Sequence, residues 1–202
     1  MSHVDISIIT TCYKGYKFLN GLFDNIDRLT KSIKREYPNV KIEYIIVNDY
    51  PNEFLDAPKG KWEFSYLIIN NQENLGIHGS RVIGLKNASG EFIQFLDQDD
   101  ILEDRTLISH YENIDAFDVS VANGFEIEEK KKAIYKGKKH HLMAKHHFFY
   151  LYVGTNIISP GQCLIRKSAI PNDWCDNILN YNCADDYLLW LLMLREIGRA
   201  HV

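Results

Sequence analysis

The segment Phe92-Ile93-Gln94-Phe95-Leu96 is short and almost wholly apolar, and it ends abruptly in Asp97-Gln98-Asp99-Asp100. Its β-branched and aromatic residues, with Gly90 marking the start, predict a buried strand. Carboxylates at the C-terminal end of such a strand sit where open α/β sheets bind ligands. Three acids this close repel one another. A hard cation relieves the repulsion: Mg²⁺ or Mn²⁺ takes one or two protein carboxylates and fills its shell with water and substrate phosphate. Taken alone, the stretch also reads as a solvated acidic turn that caps the next helix.

The flanking pattern bears on that choice. Val4 to Thr11 and Ile42 to Val47 are further β-rich runs, predicted as buried parallel strands. Phe64 to Ile69 is a third strand. Phe18, Leu22, Phe23, Ile26, Leu29 and Ile33 recur at helical spacing and predict an amphipathic helix ending before Tyr37-Pro38. Gly76 to Asn87 predicts a second helix. The strands end in polar clusters, Cys12-Tyr13-Lys14-Gly15, Asn48-Asp49-Tyr50-Pro51 and Asn70 to Asn74. This β-α-β-β-α-β order argues for a mostly parallel α/β sheet with helices on its faces. Further on, the pattern predicts a helix over 102–111, a strand over 117–122, a hairpin of 125–128 with 133–135, a strand over 161–166 and a helix over 184–196.

Composition excludes several classes. The chain has 202 residues, a formal net charge of −4 and 25% charged residues. No overall basic field argues for nucleic acid. Four cysteines without CxxC spacing fit reduced thiols and a cytoplasmic setting. No apolar run is long enough for a transmembrane helix. His140, His141, His146 and His147 lack a carboxylate or cysteine partner nearby, so they read as a solvated basic loop and not as a zinc site. The lysines between 130 and 139 read as a solvated hairpin, with peripheral membrane contact as the alternative.

Four separated segments together resemble glycosyltransferase family 2, the inverting transferases with a Rossmann-like nucleotide-diphospho-sugar transferase fold. Ile8 to Tyr13 is similar to the opening strand. Ile46-Val47-Asn48-Asp49 is similar to the family's V-D-D-G-S strand end. Asn74 to Gly84, followed by Gly90 to Asp100, is similar to N-x-G-x-x-x-A-R-N-x-G leading into G-E-Y-I-x-F-L-D-x-D-D. Ala184-Asp185-Asp186-Tyr187-Leu188-Leu189-Trp190 is similar to the E-D-Y-x-L-W helix start. Departures are Asn48 for Asp, Tyr50-Pro51 for Gly-Ser, Ser80 and Val82 around the arginine, and Asp185 for Glu.

The resemblance implies a metal-dependent glycosyltransferase that uses a nucleotide-sugar donor, expected to be UDP-linked, and a glycan or lipid-linked acceptor in surface polysaccharide synthesis. It implies Asp99 and Asp97 as ligands of Mn²⁺ or Mg²⁺. Thr11, Tyr13, Asp49, Arg81 and Asp97 would contact the nucleotide sugar, Asp49 accepting from the base N3–H. Arg81 would reach the diphosphate or hold the acid cluster. Asp100 would support the site or cap the next helix. Inversion needs a general base for the acceptor hydroxyl. The resemblance assigns it to Asp186, with Asp185 beside it. A lipid-linked acceptor would place the enzyme at the inner face of the membrane.

The resemblance spans one domain over 1–196, with 1–100 as the nucleotide-sugar-binding half and 101–196 as the acceptor-binding half. Family members continue past this helix. Ile197-Gly198-Arg199-Ala200-His201-Val202 is what a familiar sequencing-adapter string encodes, so residues 197–202 are expected to be a non-native tail on a longer natural protein. The rival readings are a nucleotide-sugar-binding module without turnover, a dinucleotide oxidoreductase and a structural partner protein. The oxidoreductase lacks its G-x-G-x-x-G after the first strand.

Overall fold

A computed structural model of the chain describes residues 4–127, 131–137, 139, 143, 147–155, 157–180 and 184–197. Strands are β1 (Val4–Cys12), β2 (Ile42–Asn48), β3 (Ser65–Asn70), β4 (Gly90–Phe95), β5 (Val119–Val121), β6 (Phe125–Ile127), β7 (Lys131–Ala133) and β8 (Cys163–Arg166). The α-helices are α1 (Leu19–Glu36), α2 (Gly76–Asn87), α3 (Thr106–Asn113), α4 (His147–Tyr152), α5 (Asn172–Asp176) and α6 (Asp185–Ile197).

Six strands form one sheet in the order β3-β2-β1-β4-β8-β5. β1 to β4 run parallel, while β8 is antiparallel to both β4 and β5. Alternation along each strand divides the core between the two faces. Ile6, Ile8, Tyr44, Ile46 and Phe92 pack with Phe23, Ile26 and Leu29 of α1 and Leu107 of α3. Ile9, Ile45, Val47, Ile93 and Phe95 pack with Val82 and Leu85 of α2 and with Leu189, Trp190 and Met193 of α6. Burial of this many branched and aromatic side chains, at roughly 1.5–3 kcal/mol each, is what holds the helices to the sheet. Gly84 lets α2 approach closely, since a Cβ there would lie 2.4 Å from Ile9 Cγ2.

The mostly parallel sheet with helices on both faces agrees with the sequence pattern, and several boundaries differ; the strand expected over 117–122, for one, spans Val119–Val121. The helix expected from Leu102 begins at Thr106. Asn25 Nδ2 donates to Leu102 O at 2.9 Å, and Leu102 N–H donates to Asn25 Oδ1 at 3.1 Å. That grip on both backbone groups holds Leu102 outside the helix. The strand expected from Gly161 begins at Cys163, because Ser159 caps a 3₁₀ turn over Pro160–Gln162. The second hairpin strand is Lys131–Ala133 and not 133–135. Lys131 and Lys132 therefore lie in the ladder, where Lys132 faces Glu126 across the pair. Residues 140, 141, 146 and 198–202, with most of the histidine cluster and the tail, lie outside the described residues.

His110 carries a pH prediction. Its ring is 1% exposed and Nδ1 bonds Ser120 Oγ at 2.9 Å. Burial pushes its pKa down from 6.5 to about 4. The folded state therefore holds it neutral, whereas the unfolded chain takes up a proton at pH 6.5. Its contribution is complete above pH 6.5 and is lost as pH falls toward 4, about 3 kcal/mol across that window. The urea midpoint of His110→Phe is expected to fall less between neutral pH and about pH 5 than that of the unmodified chain. Parallel curves for the two proteins would refute this.

Candidate active site

The C-terminal ends of the parallel strands converge on one edge of the sheet. Cys12 lies beside Asn48, and Asn48 beside Asn70. There a cavity of 470 Å³ opens, lined by Thr11, Tyr13, Asp49, Ile77, Asp97 and Asp99 among others. Gln98 ties its two sides together. Tyr13 N–H donates to Gln98 Oε1 at 3.1 Å, and Gln98 Nε2 donates to Tyr13 O at 3.3 Å. Gly15 has to be glycine for this, because a Cβ would fall 2.7 Å from Cys12 Cβ and 2.9 Å from Gln98 Oε1. Tyr13 and Tyr50 meet edge to face at 5.2 Å, with Lys14 Nζ about equally far from both rings, at 5.5 and 5.4 Å.

Asp49 is nearly buried at the foot of the cavity. One oxygen, Oδ1, accepts from Asn71 Nδ2 at 3.0 Å and from Leu75 N–H at 2.8 Å. Asn71 Nδ2 also donates to Ser80 Oγ at 3.0 Å, which gives the serine in place of the family's alanine a structural task. Asn48 likewise works as a donor, to Glu53 O at 2.6 Å and Asn70 Oδ1 at 2.8 Å. An aspartate cannot donate there, so the departure at 48 is accommodated by the 50–55 loop.

Arg81 joins the two halves of the site. Its side chain is 5% exposed. Nη2 donates to Asp97 Oδ1 at 2.5 Å, and Nη1 donates to Asp185 Oδ2 at 2.7 Å. Burial alone would lower its pKa, but Asp97 and Asp185 more than reverse that, so it stays charged. Each terminal nitrogen gives one of its two N–H groups to a carboxylate, which matches the expected hold on the acid cluster.

The start of α6 is held by a second set of bonds. Trp174 Nε1 donates to Asp185 O at 2.8 Å. His78 contacts Trp174 O through Nε2 at 3.0 Å, and its Nδ1 accepts from Leu179 N–H at 3.0 Å. Those partners require the neutral tautomer protonated on Nε2, in keeping with burial lowering the His78 pKa. The Tyr187 hydroxyl donates to Tyr150 O. Asp185 is 2% exposed and committed to Arg81. Asp186 is only half-buried; its Oδ1 accepts from Tyr187 N–H at 2.7 Å. Burial raises the Asp186 pKa, partly offset by that bond, and Asp185 adds to the rise. Asp100 does not cap α3, whose N-cap is Arg105. It instead accepts from the Ser159 hydroxyl at 2.6 Å.

The donor chemistry at the cavity suits a hard divalent ion. Asp97 and Asp99 offer carboxylate oxygens. Cys12, the neighbouring thiol, is pushed up to about 12 by burial and stays protonated. Among the described residues no three His, Cys, Asp or Glu side chains form a closed metal cage. Mg²⁺ and Mn²⁺ are the ions that manage with one or two carboxylates, completing their shells from water and phosphate.

The family model described as "Glycosyl transferase family 2" matches residues 7–173. The chain belongs to glycosyltransferase family 2. Glycosyltransferase GlyA of Streptococcus pneumoniae is 26% identical over 156 residues, which is 75% of this chain and 21% of that protein. The poly(ribitol-phosphate) β-N-acetylglucosaminyltransferase TarS of Staphylococcus aureus is 26% identical over 104 residues, 50% of this chain and 17% of TarS. The chain thus spans about a fifth of the length of these relatives. The S. aureus TarS 1–349 structure in complex with UDP-GlcNAc superposes with a TM-score of 0.65 at 18% identity, covering 93% of this chain and 52% of that one. The same fragment with UDP gives 0.66 at 17% identity, covering 94% and 55%. At such identity these structures show the shared fold.

Sequence reasoning named Asp49, Arg81, Asp97, Asp99, Asp185 and Asp186, and the structure gathers them around one sheet edge. It missed Gln98, Asn71, His78 and Trp174, which hold those residues in place. Gln98 lay inside the acidic motif, and its amide is the one side chain there that both donates and accepts. His78 and Trp174 are far apart in the chain, and no local pattern joins them.

Proposed function

We propose that this family member transfers a glycosyl group from a nucleotide-diphospho-sugar, with inversion, to a glycan or lipid-linked acceptor in cell-surface glycan synthesis. The observation that carries this reading is the Arg81 bridge, which ties Asp97 at the cavity to Asp185 at the start of α6. Asp186 is the next residue after Asp185, and we read it as the one that meets the acceptor. The complex of TarS with UDP-GlcNAc supports a UDP-linked donor.

In this mechanism Thr11, Tyr13 and Asp49 receive the nucleoside. Asp99, with Asp97, would hold Mn²⁺ or Mg²⁺, which when bound neutralises charge on the diphosphate leaving group. Asp186 is the general base. It accepts the acceptor hydroxyl proton as that oxygen attacks the anomeric carbon and the bond to the diphosphate breaks. Its half-buried position and raised pKa suit proton abstraction better than the paired, buried Asp185 does. No helix among the described residues is long and apolar enough to cross a membrane.

Calorimetric titration with UDP, GDP, CDP and dTDP, each with and without Mn²⁺, tests the donor side. UDP is expected to bind in a Mn²⁺-dependent manner. Asp99→Ala is expected to weaken that binding roughly tenfold or more, as loss of a charged ligand does. Equal binding by the variant, or binding indifferent to Mn²⁺, would remove Asp99 from the metal.

A further inference from the structure

The acidic turn that closes the donor cavity has a second side. Asp97 and Asp99 line the donor cavity, whereas Asp100 to Glu103 line a separate cavity of 280 Å³ beneath the β6–β7 hairpin. The two spaces share the turn as a wall, so a molecule in the second lies one turn's thickness from the donor-side carboxylates. The hairpin is strapped over this groove. Lys131 Nζ bonds Glu103 Oε1 at 2.8 Å and lies 3.8 Å from the Phe125 ring centroid. That ion pair cancels the two charges at the rim.

What remains inside has a definite chemistry. Among the described residues that line it, half-buried Asp100 is the charge outside the Lys131–Glu103 pair, with the Ser159 hydroxyl on its Oδ2. Around it stand exposed apolar side chains, Ile101 at 74% and Ile127 at 77%, with Phe125 beside them. In a groove that mixes apolar side chains with Thr106, Asn123 and Gln162, a carboxylate accepts hydrogen bonds from hydroxyls and the apolar side chains cover C–H faces. A polyanion would meet the Asp100 charge, and Lys131, the lysine among the described lining residues, is paired with Glu103.

We infer that this groove is a subsite for an uncharged saccharide, the portion of the acceptor chain behind the residue that receives the sugar. The assignment rests on the glycosyl-transfer reading above and adds the acceptor's chemistry to it. An uncharged chain lying here would meet the turn from one side, while the donor occupies the other.

Isoleucine methyl NMR on the full chain separates the two readings. Ile101 and Ile127 report on the groove, and Ile77 reports on the donor cavity. Chitotetraose, cellotetraose and maltotetraose serve as uncharged probes, and a heparin-derived tetrasaccharide as the polyanion. At least one uncharged probe is expected to shift Ile101 and Ile127 but not Ile77, with affinity falling roughly tenfold in Asp100→Asn. Ile127→Ala, at an exposed position that leaves folding intact, is expected to weaken the same shift of Ile101. The inference is overturned if all three uncharged probes leave both methyls still, if only the polyanion moves them, or if neither variant changes the affinity. UDP acting on Ile77 judges the donor reading on its own, and its failure would leave the groove result standing.

Discussion

Replacing Arg81 with alanine is expected to cost about 3–5 kcal/mol of folding stability, the largest effect of any single substitution at the site. The guanidinium is the shared partner of Asp97 and Asp185. Removing it leaves Asp185 charged and 2% exposed, with Asp97 close by. An uncompensated buried charge, more than the lost attraction, sets the cost. For a chain of this size the melting temperature should drop by roughly 10 °C or more. Arg81→Lys keeps the charge but offers one compact ammonium where a planar fork spans two carboxylates, so only part of the stability should return. Arg81→Ala combined with Asp185→Ala should lose less than the two single changes summed, because the orphaned charge is then gone. Additive losses in that cycle, or a melting point within a few degrees of the unmodified chain, would mean that Arg81 does not hold the acid cluster.

That same bridge marks the limit of what the sequence discloses. β1, α1, β2 and β4 were legible because each is a dense or periodic apolar run whose local preference and final environment agree. The start of α3 was not, because Asn25 reaches Leu102 across 77 positions and takes both of its backbone groups. Asp97 and Asp99 were legible as a cluster, for like charges at a strand end stand out. The contact between Arg81 and Asp185 spans 104 positions and leaves no local trace. Asp185 and Asp186 look alike in the sequence. They separate only when the helix start is packed, since one turns into the Arg81 pair and the other toward the half-open side.

Asp186→Asn is therefore expected to give a protein that folds and binds donor but transfers almost nothing. Loss of a general base lowers turnover roughly a hundredfold to ten-thousandfold. The stability change should run the other way. Burial raises the Asp186 pKa above its ordinary 3.8, so the folded state holds its proton more tightly than the unfolded chain does. Its favourable contribution is present below pH 3.8 and is lost as pH rises through the raised folded value. At neutral pH the ionised side chain is a burden on the fold, and asparagine removes it. The amide so introduced keeps an oxygen for Tyr187 N–H, which the Asp186 carboxylate accepts at 2.7 Å. The variant should melt at or above the temperature of the unmodified chain, with nucleotide affinity unchanged by calorimetry. In the unmodified enzyme, activity should rise with pH through an apparent pKa above the ordinary carboxylate range, because only the ionised base takes the proton. If Asp186→Asn transfers normally while Asp185→Asn, tested in parallel, is folded and inactive, the base is the other aspartate. Arg81 would then hold the reacting group itself, and no longer only the start of its helix.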